Sequence, residues 1–323
     1  MKFKFIFFTA YSLLYSLNIF AQLFPFVSNN KIGLKDSLGK IIIEPLYSAV
    51  EPFSDTWSKV KVGNLLHDTC HYQFINTKGN KINSEKYENA NCFKNGYASV
   101  YKNKKWGVID SSGKQVIDFK YLEIGNFNCG YFYFNDGNTI GYINLKGEIL
   151  QTKKITQGRD FSEGKAAVSA ENKWGFIDTL GNYVVPLIFN NALNFSDGLA
   201  AVRMGNYWGF VDTSGKIAIT PVYDIAHNFN DSVAAVKIKG KWNYINYKGK
   251  EAFKGKFQEA MDYHNKNAIV EIDGSYGLIN LKGEWIIKPS YNELSFLHEN
   301  ILIGMNNGNR IYLKTNGTSI VNW

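Results

Sequence analysis

His67, Cys70 and His71 are close together in sequence and are residue types that hold zinc. A structural zinc site takes four such ligands and a catalytic one three, and no matching pair follows elsewhere in the chain. The cluster is therefore read without a metal, and no cofactor is assigned. His264 and His298 occupy equivalent places 34 residues apart, which would set one above the other, but no carboxylate column accompanies them. A further polar series reads Asp36, Asn76, Asp110, Asn144, Asp178, Asp212, Asn246 and Asn280. Repeated Asp can ligate calcium, yet Asn fills half of these places, and both residues cap turns through their side-chain oxygen. No nucleophile elbow, phosphate loop or metalloprotease motif occurs, and the serines lack a His and Asp context. The chain reads as non-enzymatic.

What must position these residues is a repeat. Gly39, Gly79, Gly113, Gly147, Gly181, Gly215, Gly249, Gly283 and Gly317 are spaced 40 residues once and then 34 residues throughout. Such a strict period is the mark of a repeat architecture. The six-residue excess in the first interval lengthens one turn, Gly63 to His71, and insertions of this kind commonly lie on the binding face. Leu65, Leu66, His67 and His71, with Trp57, are the candidate partner contacts.

Counted from each glycine, the columns have a physical reading. Seven places before it stand Trp106, Trp174, Trp208 and Trp242, with Gly107, Gly175 and Gly209 following three of them. Eight places after it stand Tyr47, Tyr87, Tyr121, Ile155, Phe189, Tyr223, Phe257 and Tyr291; fourteen after, Phe53, Phe93, Phe127, Phe161, Phe195, Phe229, Tyr263 and Leu297. Trp208 to Asp212 is rich in strand formers, Asp212-Thr213-Ser214-Gly215 is hairpin chemistry, and Lys216 to Thr220 is the return strand, stopped by Pro221. Leu199 to Met204 precedes the Trp strand, and Val222 to Asn230 reads as a loop anchored by its aromatic columns. The unit is thus a three-stranded antiparallel meander plus one loop. Its strands are apolar on both faces, as stacking between neighbouring units requires. Recurrence of the aromatics in nearly every unit fits an inter-unit core, with the paired alanines (Ala166-Ala167, Ala200-Ala201, Ala234-Ala235) and the glycine after Trp leaving room for a neighbour's ring.

The fold expected is all-β: about nine such units over residues 22–323. Leu23 to Val27 enters as a strand and Ile311 to Val321 leaves as a complete hairpin, so no strand is held back to close a split blade. Nine units also exceed the usual propeller range of four to eight. An open superhelix is the first expectation; a propeller-like ring sealed by end-to-end packing is the alternative.

The strings Lys105-Trp106-Gly107-Val108-Ile109-Asp110, Lys173-Trp174-Gly175-Phe176-Ile177-Asp178 and Tyr207-Trp208-Gly209-Phe210-Val211-Asp212 resemble the bacterial WG-repeat family, named for this Trp-Gly pair. The resemblance covers nearly all of residues 22–323. It implies a non-enzymatic β-repeat protein, often exported, that binds other macromolecules. Ile32, Tyr72, Ile140, Tyr276 and Arg310 depart from the Trp, and Gln73, Asn243 and Ile311 from the Gly, which fits a Trp column that needs only bulk.

Residues 1–21 read as a signal peptide: Lys2 and Lys4, an apolar stretch from Phe5 to Phe20, and Ala21 before the cleavage point. A periplasmic or secreted address follows. The chain carries 36 Lys and Arg against 28 Asp and Glu; without Lys2 and Lys4 the balance is 34 against 28, or +6. The basic residues are scattered, many on hairpin turns, which argues against nucleic acid. Cys70, Cys92 and Cys129 fall in three different columns, so the framework does not rest on disulfides, and no pair is chosen. The function expected is an exported scaffold binding a protein partner, with an envelope carbohydrate-binding module as the alternative. The two differ in whether the column aromatics are buried or face solvent.

Overall fold

The computed structural model describes residues 23–63, 70–298 and 300–320. Candidate contacts Leu65, Leu66 and His67 lie outside the described residues, as does the leader. The described residues form nine antiparallel sheets in chain order, without helix. No helix among them is long and apolar enough to cross a membrane.

Blade 6 shows how sequence makes the unit. Its four strands are Asn191–Ser196, Leu199–Met204, Tyr207–Asp212 and Ile217–Tyr223, paired in that order. The third–fourth turn works as its sequence dictates. Asp212 Oδ1 accepts from the amides of Ser214 (2.9 Å) and Lys216 (3.1 Å), and Gly215 takes φ +84°. The same side-chain caps recur at Asn76, Asp110, Asn144 and Asp178. The polar column is thus occupied in closing hairpins.

Two details differ from the expected meander. Val222 to Asn230 is not a loop: it holds the end of one fourth strand and, from Ile225 to Asn230, the first strand of the next blade. Five sheets accordingly have four strands and four have three. Pro221 does not stop its strand either. The pairing runs Trp208↔Tyr223, then Phe210↔Ile219, so Pro221 rides on a bulge of an edge strand, where its missing N–H is not needed. That bulge explains the glycine of the Trp-Gly pair. A Cβ on Gly209 would stand 2.5 Å from the Ile219 carbonyl oxygen and 2.6 Å from Pro221 N. The glycine makes room for its own blade's outer strand, rather than for a neighbouring blade's ring.

Hydrophobic clusters fill the spaces between consecutive blades. Phe176, Val185 and Phe189 of blade 5 meet Ala192, Phe195 and Ala200 of blade 6, and similar clusters occupy all eight successive interfaces. The aromatic columns lie in them: Tyr87, Phe93, Phe161, Phe189, Phe195 and Phe229 are buried. Leu23, Pro25 and Leu34 of blade 1 share a small cleft with Leu297 and Ile301 of blade 9. The array therefore closes on itself. The propeller-like ring is what forms, in place of the open superhelix expected first, and end-to-end packing alone closes it.

The first strands of blades 6 and 7, Asn191–Ser196 and Ile225–Asn230, touch one another, which places the first strands innermost. There the blades are stitched by polar contacts. Ser162 Oγ donates to the Phe195 carbonyl (2.7 Å) and Arg159 Nε to that of Ala192 (2.9 Å). Carboxylates on the first–second turns reach the next blade's turn. Asp55 accepts from the Gly96 amide (2.7 Å), Glu163 from Gly198 (3.0 Å), Asp197 from Ser232 (2.9 Å) and Asp231 from Lys266 (2.7 Å).

The turn caps make a pH prediction. The Ser214 hydroxyl, with two backbone amides, holds the Asp212 carboxyl below the usual carboxylate range. A depressed carboxyl stabilises the fold above its unfolded value near ~4, and this is lost as pH falls through the folded value. Asp212→Asn keeps the cap, as Asn76 and Asn246 do natively, but has no proton to take up. Melting at pH 7 is expected within about 2 °C of the parent, with a smaller loss on going to pH 3. An equal acid loss in both proteins would refute the assignment.

Candidate functional site

Trp57 and His71 are the candidate contacts among the described residues, and they lie in blade 2. Trp57 opens the strand Trp57–Val62, is half-buried, and packs on the blade 2–3 core with its ring 6.3 Å from Phe93. His71 opens the strand His71–Asn76 and pairs with Val62 across the site of the insertion. His264 lies edge-on to Phe296, ring centroids 5.2 Å apart. Cys92 is half-buried, and burial pushes its thiol pKa up; Cys129 is exposed.

A different set of residues breaks the repeat in three dimensions. Four places after the turn glycine, regular blades bury an aliphatic side chain: Ile43, Ile117, Val185, Ile219 and Ile287. Blades 2, 4 and 7 carry Asn83, Gln151 and Phe253 there, and these blades form no continuous fourth strand. Blades 2 and 7 retain two bridges each, Tyr72↔Tyr87 with Ile75↔Lys81 and Trp242↔Phe257 with Ile245↔Glu251. Blade 4 retains Ile143↔Ile149. Blades 2 and 7 also replace the strand glycine, by Gln73 and Asn243. Both side chains are buried, and their carbonyl oxygens lack hydrogen-bond partners.

A missing outer strand leaves a gap beside the next blade, and the three gaps have different fates. At blade 7 the Phe253 ring presses against the Gly283 turn and fills it. Beside blade 2 a space of about 170 Å³ remains, bridged by the Glu85–Lys102 ion pair. Beside blade 4 the Gln151 carbonyl lies against the Gly181 turn of blade 5, but no side chain fills the space further along. There the gap stays open.

This open cleft runs along blade 5 from Gly181 to Leu187, beside the outer strand Tyr183–Phe189. One part, of about 470 Å³, is bounded by Lys153, Lys154, Glu171, Tyr183, Pro186 and Leu187; it continues past Tyr183 into about 620 Å³ beside Gln151 and Asn182. The floor is apolar and the rim carries two lysines against one glutamate. Lys153 Nζ stands 6.0 Å from the Tyr183 ring centre. The Tyr183 hydroxyl is buried without a hydrogen-bond partner, and burial raises its pKa.

Comparison with known proteins agrees with this architecture. The crystal structure of a eukaryotic initiation factor superimposes with a TM-score of 0.62 over 92% of this chain and 94% of its own, at 11% identity. At that identity the likeness is one of fold. A dihydro-heme d1 dehydrogenase, NirN, in complex with DHE, gives a TM-score of 0.42 over 81% and 71% of the two chains, at 12% identity. No curated protein sequence matches. The WG containing repeat matches eight times, over residues 32–65, 74–106, 106–139, 140–174, 174–208, 208–242, 244–276 and 276–309. These matches follow one another through the blades just described, and the chain belongs to the WG-repeat family.

Proposed function

We propose that this chain is an exported, non-catalytic ring scaffold that holds an extended acidic segment of a partner protein in the cleft between blades 4 and 5. The observation that carries the reading is that cleft: of three gaps left by broken outer strands, one is filled, one is bridged and this one is open. It follows the chain from Gly181 to Leu187, roughly 20 Å of extended backbone, which suits an extended partner segment. Lys153 and Lys154 favour acidic side chains, and Tyr183, Pro186 and Leu187 favour an apolar one. The column rings on which a sugar could stack are turned into the blade interfaces instead. Export rests on the apolar leader before Gln22.

The test uses the chain from Gln22, immobilised and exposed to solubilised cell envelope. One protein retained in near-stoichiometric yield is expected, and an acidic peptide mapped from it should bind in fluorescence anisotropy. Lys153→Glu with Lys154→Glu should weaken that peptide by at least about tenfold. Polysaccharide retained without protein, or a peptide indifferent to the charge reversal, would overturn the reading. Cell fractionation should recover the protein outside the cytoplasm with an N-terminus at Gln22; a chain found only in the cytoplasm and still carrying Met1 would remove the export part.

A further inference from the structure

We propose that the inner wall of blades 2–4 carries a second site, for a small anion of the phosphate or carboxylate kind. A recess of about 490 Å³ there is lined by Ser54, Lys59, Asn91, Cys92, Lys94 and Asn126, among others. It is distinct from the outer cleft and shares no residue with it.

In a repeat, a column's residue type is set by surroundings that recur in every blade. A departure that the surroundings do not demand therefore has another origin. Three departures converge in this recess. Lys59 occupies a second-strand column whose other members include Ser99, Ala167, Ala201 and Ala235, all buried. Cys92 precedes a first-strand run of Asn126, Asp160, Asn194, Asn228 and Asp262, in a column that begins with Pro52 and ends with Phe296. Lys94 stands in a column that otherwise reads Ser54, Asn128, Ser162, Ser196 and Asn230, then His264 and His298, and is its only lysine. Packing does not require the lysine at 59. Its Nζ donates to the Ala90 carbonyl (3.1 Å) and stands 5.5 Å from the Tyr72 ring centre, whereas in the next blade the Ser99 hydroxyl donates one place further on, to the Gly125 carbonyl (2.6 Å). Short neutral side chains fill this column in blades 3, 5, 6 and 7, so the framework does not demand a charge there.

The turn column also loses its acid in this sector. The turn column that supplies Asp55, Glu163, Asp197 and Asp231 carries Asn95 and Cys129 in blades 3 and 4. Asp55 is engaged by the Gly96 amide, and the Asp160 carboxylate by the backbone and side-chain nitrogens of Asn126 (3.1 Å each to Oδ2). Glu51 and Lys59 act on the Cys92 thiol in opposite directions. Lys59 and Lys94 thus stand here beside the neutral amides of Asn91 and Asn126, with Glu51 and Asp160 as the neighbouring acids. Lys94 is exposed to the recess and is the principal charge on which an anion would settle.

The test uses the chain from Gln22 with inorganic phosphate and citrate as probes, against chloride at matched ionic strength. One of the two is expected to raise the melting temperature saturably. The same anion should slow iodoacetamide labelling of Cys92, by about fivefold or more, and leave the exposed Cys129 unchanged. Lys94→Gln should melt within about 2 °C of the parent when unliganded and weaken the anion at least about tenfold. A response to phosphate alone assigns a phosphate ligand, and one to citrate alone a carboxylate. Failure of both anions to protect Cys92, or equal protection in Lys94→Gln, would overturn the proposal. Neither outcome bears on the outer cleft.

Discussion

Replacing Gly175 by alanine is expected to cost about 3–5 kcal/mol in urea denaturation, the range of severe core damage. The added Cβ would stand 2.5 Å from the Val185 carbonyl oxygen and 2.6 Å from that of Pro186. Both are backbone atoms, so no side chain can rotate away. The outer strand is held in place by its bulge, with Trp174↔Phe189 on one side and Phe176↔Val185 on the other. It must detach or shift as a unit. Gly164→Ala is the internal control. Nothing lies within 4 Å of a Cβ there, but the backbone sits at φ +74°, a conformation that costs alanine only about 1–2 kcal/mol. The order of the two effects separates the explanations. If Gly175 merely left room for a neighbouring blade's ring, that ring could yield and the two variants would be similar. The chain has in effect made comparable substitutions at Gln73 and Asn243, and in both blades the outer strand has come away to isolated bridges.

That correlation marks how far the sequence could be read. The strand Leu199–Met204, the caps at the turn glycines and the burial of the aromatic columns are all legible, because each depends on local chemistry repeated many times. The first strand of each blade is not. In several blades it is two residues long, as at Asn89–Ala90, and too short to show alternation. Its identity comes from pairing with the next hairpin, a contact that local propensity does not encode. Pro221 misleads for a related reason. Proline does exclude a central strand, but an edge strand with a bulge has no use for the missing donor. Ring closure was equally hidden. It depends on a small rotation accumulated over nine blades, and the seam residues Pro25, Leu297 and Ile301 carry no mark of meeting.

The candidate sites were legible in part. The insertion near His67 is conspicuous because it changes the spacing, whereas the cleft beside blade 4 changes only residue type. Gln151 standing where Val185 and Ile219 stand in other blades was a readable signal, and Asn83 and Phe253 mark the other two broken strands. A column of aliphatics invites averaging, so its exceptions are easily passed over. Lys59 and Lys94 are similar: each is an ordinary surface residue in isolation. Only the fold shows that their columns face the same recess.

A closed ring and an open array respond differently to damage, and this gives the second large effect. Phe195 is fully buried between blades 5 and 6, and Phe195→Ala is expected to cost about 3–5 kcal/mol. In a linear array each unit is stabilised by its immediate neighbours. A weak central interface would then leave blades 1–5 and 6–9 to unfold separately. In a ring the two arcs remain joined through the seam where Leu23 and Pro25 meet Leu297 and Ile301. Phe195→Ala should therefore unfold in one transition at lower denaturant. Ile301→Asp, which places a charge at a buried seam position, should also unfold in one transition, because it opens the ring into a linear array whose eight cores are intact. The double variant loses both connections, and its calorimetric trace should divide into two. Two transitions from Phe195→Ala alone would mean that the seam contributes nothing and that the array is open in solution. The eight continuous cores and the one small cleft point to the seam as the weakest interface of the nine, yet still the one that makes the remaining eight act together.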